Sequence, residues 1–93
     1  MFFIYILYSE KFDKYYVGQT DDVERRMAEH NTLSDHSYTS KYRPWELSAS
    51  FEVGESRSLA RKIESHIKKQ KSKLYIQEIV DRGSIAVLIK RFG

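Results

Sequence analysis

Cysteine is absent from this 93-residue chain. Its absence excludes disulfides, thiolate zinc ligands and cysteine nucleophiles together, and the expected compartment is the reducing cytoplasm. Proline occurs once and glycine four times, and no linker, repeat or low-complexity segment stands out. A long hydrophobic run is also missing. The stretch Phe2 to Leu7 is short, has no basic residues before it and runs into Glu10 and Lys11, so it reads as neither signal peptide nor membrane span. No membrane partner is expected. There is no glycine-rich phosphate loop, nucleophile elbow or dinucleotide fingerprint. His30, His36 and His66 lack the spacing of a zinc site.

What remains is a soluble chain with 41% hydrophobic and 14% aromatic residues, enough for one modest core. A single domain over 1–93 is expected. The net charge is only +3, but its distribution is uneven. Between Arg57 and Lys73 there are seven lysines and arginines, with Glu64 as the only acid, whereas the other residues carry twelve acids against nine bases. A cationic segment of this kind suits a polyanion.

Residues 2–8 are rich in β-branched and aromatic types and apolar on both faces, which predicts a central strand. Ser9 to Lys14 is turn-like, and residues 15–19 complete a hairpin. Thr20, Asp21 and Asp22 offer oxygen acceptors to the amides of a first helix over about 21–31. After a polar stretch ending at Pro44, a third strand fits 45–53, with Trp45 as a core anchor. Gly54 ends it, and Ser56 can cap a second helix over about 57–70. A third helix fits 72–81 and stops near Gly83. For Ile85 to Ile89, a short strand and a helical turn are both open. The order ββαβαα makes an α+β domain: a central three-stranded antiparallel sheet flanked by helices.

Several residues in this frame carry chemistry. Tyr5 and Tyr16 lie on facing strands, where a hydroxyl can bond a phosphate oxygen or an attacking water; tyrosine is also simply a good strand residue. Gly18, within a strand, marks a close approach of backbone or ligand and leaves room for a substrate. Arg26 and His30, spaced i, i+4, share one flank of the first helix and can clamp a phosphate and move a proton. Alternatively, Arg26 pairs with Asp22 and His30 sits at the negative end of the helix dipole. Glu64 falls at the edge of the Leu59, Ile63, Ile67 stripe and suits Mg²⁺ or Mn²⁺, or else pairs with Lys68. Tyr38, Lys41 and Arg43 interleave aromatics with bases, as in surfaces that stack nucleobases and hold phosphates.

In this order, the strings Phe3-Ile4-Tyr5 and Tyr16-Val17-Gly18, the segment Gly18 to Asn31, the pairs Tyr38-Thr39 and Arg43-Pro44, and the helix Ala60-Arg61-Lys62-Ile63-Glu64 with Ile67-Lys68-Lys69 resemble the small, single-domain GIY-YIG nucleases. The resemblance covers about residues 2–75, leaving 76–93 as a C-terminal extension. It implies hydrolysis of a DNA phosphodiester with one divalent metal, Mg²⁺ or Mn²⁺, held by Glu64. Tyr5 would assist the attacking water with Tyr16 beside it. Arg26 would stabilise the pentavalent phosphate, and His30 would move a proton or touch phosphate. Gly18, Gln19, Arg25, Tyr38, Lys41, Arg43, Arg61 and Lys68 are the expected nucleic-acid contacts, and a monomer is expected.

Two positions depart from the family pattern. Gln19 stands where some relatives have lysine, and the asparagine that many carry after the glutamate has no counterpart. A catalytically weak or inactive nucleic-acid-binding module on the same scaffold is therefore the alternative function. With no room for an added recognition domain, selectivity for structure or for single strands is expected over a long sequence.

Overall fold

A computed structural model describes residues 1–32 and 41–93. Among them the chain runs β1 (Phe2–Ser9), β2 (Lys14–Thr20), α1 (Val23–Thr32), β3 (Glu46–Gly54), α2 (Arg57–Lys69), α3 (Lys73–Arg82) and α4 (Ala86–Phe92). The class is α+β, as expected. The three strands form one antiparallel sheet in the order β2-β1-β3. Its centre is the strand whose sequence is apolar on both faces, and Ile4, Tyr5, Ile6 and Leu7 are almost fully buried.

The alternation of β1 divides the core in two. Ile4 and Ile6, with Val17 from β2, face α2, α3 and α4 and pack with Ile63, Ile67, Ile79, Ile85 and Leu88. Tyr5 and Leu7 face the opposite way, with Trp45, Tyr16, Val23, Met27 and Tyr42. The sheet thus lies between α1 and the other helices, with β2 at an edge.

Side-chain caps set the helix starts. Asp22 Oδ1 accepts from the Arg25 amide (3.0 Å), Ser56 Oγ from Leu59 (3.1 Å) and Ser72 Oγ from Tyr75 (3.1 Å). Each satisfies an amide that has no partner within its helix. Helix α3 stops at Gly83, whose φ of +70° is the left-handed conformation glycine tolerates best. The ambiguous tail is a helix: Leu88 is buried, and the Phe92 ring lies 5.1 Å from the His66 ring of α2.

The hairpin turn is anchored too. The Tyr8 hydroxyl donates to Asp13 (2.6 Å), and Asp13 also pairs with Lys73 at the start of α3. No helix among the described residues is long and apolar enough to cross a membrane.

Candidate active site

Tyr5 stands in the middle of the central strand and is 1% exposed. Opposite it in the β1–β2 register is Gly18. A Cβ at position 18 would overlap the Tyr5 ring and hydroxyl. The room expected there for a substrate is therefore filled by the phenol itself, and Gly18 is buried beneath it.

The Tyr5 hydroxyl is bonded to His30 Nε2 (2.9 Å) near the end of α1. Arg26, one turn earlier, brings Nη2 to a long 3.5 Å contact with the same nitrogen. Arginine carries donors alone. Both contacts are met when Nε2 bears the lone pair and Nδ1 the proton, so Tyr5 donates and His30 accepts. Burial pushes the Tyr5 pKa up to about 12, with Arg26 pulling the other way. At neutral pH the phenol keeps its proton. Burial opposes the charge of Arg26, but bonds to Glu29 and Tyr5 outweigh it, and its pKa lies above the ordinary value.

Helix spacing allowed Arg26 to pair with Asp22. The structure instead uses Asp22 as the α1 cap and pairs Arg26 Nη1 with Glu29 Oε1 at 2.8 Å. His30 lies in the last turn of α1, at the helix end as the alternative had it, and is 5% exposed. Its ring lies 4.8 Å from that of Tyr16, which is 6.3 Å from the Tyr5 ring. Two strands and one helix thus converge on a Tyr5–Tyr16–Arg26–His30 cluster.

Helix α2 approaches from the other face of the sheet, around the β2 edge. Lys68 Nζ sits 5.2 Å above the Tyr16 ring and 3.0 Å from Glu64 Oε2. The i, i+4 pair foreseen in the sequence does form, and it places Glu64 beside the tyrosines. Glu64 opens into a depression shared with Lys68 and Lys71, and both lysines also line the cleft of about 500 Å³ along Tyr16. Glu64 and Tyr16 thus border two neighbouring depressions that share Lys68 and Lys71.

The donor set can be tested against a divalent ion. Among the described residues no three His, Asp or Glu side chains group closely enough to form a cage. Mg²⁺ needs none: it keeps several waters and takes one or two carboxylates with substrate phosphates. Glu64 retains partial exposure, and its contact with the exposed Lys68 is a single i, i+4 pair on a helix, a kind that contributes little. That contact is weak enough to exchange for a cation, so the residues fit a hydrated ion on one carboxylate.

Residues 1–77 match the GIY-YIG catalytic domain family. The chain belongs to the GIY-YIG family. No curated protein and no solved structure matches it. The match runs from β1 into the start of α3, so α4 lies beyond it. GIY-YIG domains are nuclease domains and generally use divalent metals, which makes nucleic acid the class of substrate.

The remaining expected contacts are more dispersed. Gln19 is half-buried on the edge strand, and its Oε1 is buried without a hydrogen-bond partner among the described residues. Arg25 is exposed beside Asp21 (3.3 Å). Lys41 and Arg61 are exposed. Tyr38 lies outside the described residues. Arg43 points inward: Nε donates to the His30 carbonyl at 2.8 Å, holding the end of α1.

One positioning residue escaped the sequence reading. Asn31 spans to Trp45, donating from Nδ2 to its carbonyl (2.9 Å) and accepting from its amide at Oδ1 (2.7 Å). With Arg43 it ties α1 to the segment entering β3 and so fixes His30. An asparagine in the last turn of a helix was the available signal, but its partner is 14 residues away.

Proposed function

We infer that the protein is a divalent-metal-dependent endonuclease that hydrolyses DNA phosphodiester bonds, with selectivity for structure or for single strands. The observation that carries this reading is the buried Tyr5–His30 hydrogen bond with Arg26 beside it, close to a carboxylate in a cation-lined recess. A water attacking phosphorus must lose a proton. With Tyr5 donating to His30, the phenol oxygen can take up that proton while its own passes to Nε2. Neither residue needs to ionise alone, which accommodates a tyrosine pKa near 12.

Arg26, held by Glu29 through Nη1 and reaching His30 and Tyr5 on its other side, presents its charge to the negative charge that builds on the phosphate oxygens. Tyr16 orders the attacking side through its ring contact with His30. Glu64 would hold the ion, Mg²⁺ or Mn²⁺, whose chemistry is to neutralise charge on the scissile phosphate and its leaving oxygen. On displacement from Glu64, Lys68 is placed to meet a phosphate.

The test is a panel of end-labelled single-stranded, nicked, duplex and branched DNA incubated with the protein and either metal. Faster internal cleavage of the branched or single-stranded molecules supports the reading. Uniform cutting of all four would remove the selectivity. Tight binding to each without any cleavage would replace the enzyme with a binding module.

A further inference from the structure

A second basic surface lies on the outer side of α2, away from the sheet. Arg57, Arg61, Lys62 and Lys69 line an open groove of about 750 Å³, closed at one side by Arg91 and Phe92 of α4. No carboxylate lines it, and among the described residues none of the five cations has an ion-pair partner. The arrangement works against the helix that carries it. Arg57 and Arg61 are like charges at i, i+4, and α2 has no acid in its first turn, where the dipole is already positive. Two guanidiniums are nevertheless held in place, Arg57 4.8 Å above the Phe2 ring and Arg91 5.4 Å from the Phe92 ring.

We propose that this groove holds the phosphate backbone of the nucleic-acid strand flanking the scissile bond, so that α4 adds a second anchoring site to the nuclease domain. The choice of ligand rests on the nuclease reading above. Arg57 and Lys69 are 12 residues apart, about 18 Å along a helix axis, and a strand of duplex DNA carries one phosphate per about 3.4 Å. The four cations of α2 in the groove thus span a few consecutive phosphates, with Arg91 of α4 beside them. Protein interfaces are built differently, with charge depleted and aromatics concentrated at their centre; here the charges fill the groove and Phe92 stands at its side. Glu64 projects about 100° around the same helix from Ser65, which lies on the groove floor. A single strand can therefore pass from the recess to the groove.

The experiment measures binding apart from cleavage. A fluorescein-labelled 30-base-pair duplex is titrated with the Glu64→Gln protein in EDTA at several salt concentrations. Lys62→Gln with Arg91→Gln is then added in the same background. Each phosphate contact contributes about 0.9 to the slope of log K against log salt, so the added pair makes the slope shallower by about two. A control pair, Lys11→Gln with Arg82→Gln, leaves the slope unchanged.

An unchanged slope in the groove variant overturns the proposal. So does an equal loss in the control pair, which would make the effect one of net charge. Loss of polyglutamate binding in the groove variant, with DNA binding intact, assigns the groove to an acidic protein and also overturns it. If the slope changes as expected but wild-type protein cleaves nothing, the groove stands and the nuclease reading falls.

Discussion

The phenol of Tyr5 occupies the space that a side chain on Gly18 would need. The second motif thus exists partly to accommodate the first: the edge strand gives up a side chain so that the central strand can lay its tyrosine across to α1 and reach His30. Gly18→Ala should cost about 1–3 kcal/mol through overpacking, read by urea denaturation. It should also break the Tyr5–His30 bond, so cleavage falls further than the stability loss explains.

Tyr5→Phe keeps the ring and removes the hydroxyl. Removing one hydrogen bond costs about 1 kcal/mol of stability. Loss of the proton path should lower kcat by about 10²–10⁴-fold with little change in KM. A variant within twofold of wild type in kcat would exclude Tyr5 from proton transfer.

The same hydroxyl predicts a pH dependence. A tyrosine in the unfolded chain titrates near about 10, whereas burial holds folded Tyr5 near about 12. Below the unfolded value both states keep the proton and the full stability is present. As pH rises from 10 through 12 the unfolded chain gives up its proton first, and on the order of 2 kcal/mol is lost. Urea denaturation over this range should show a smaller loss for Tyr5→Phe than for wild type.

Asn31→Ala should remove both hydrogen bonds between Asn31 and the backbone of Trp45. The expected cost is about 1–3 kcal/mol, visible as a lower denaturation midpoint. Because α1 then loses its tie to the segment entering β3, His30 should shift. The nuclear magnetic resonance signals of its ring are the direct check.

The hairpin, the capped helices and the central position of β1 were legible in the sequence because each rests on a local signal. The apolar run of residues 2–8, Ser56 before a helix and Gly83 after one are examples. The alternative pairing of Arg26 with Asp22 does not form because two carboxylates lie within its reach along the helix. Asp22, at the helix start, was taken by an amide, which left Glu29. The partner of Asn31 and the inward turn of Arg43 depend on a contact between α1 and a distant segment. No periodicity encodes that contact. The filling of Gly18 by Tyr5 likewise depends on strand register, which the hairpin sequence suggests but does not fix. Tail residues 85–89 were ambiguous because a few apolar residues satisfy strand and helix alike. Packing of Leu88 and Phe92 against the core and α2 decides for the helix.

The most direct measurement compares wild type with Glu64→Gln on one end-labelled single-stranded DNA, in Mg²⁺, in Mn²⁺ and in EDTA, with circular dichroism to verify that both are folded. The account predicts internal cleavage by wild type in either metal, none in EDTA, and a loss of at least about 10²-fold in the variant, the scale of removing one key electrostatic contribution. Undiminished cleavage by folded Glu64→Gln, or by wild type in EDTA, would contradict it.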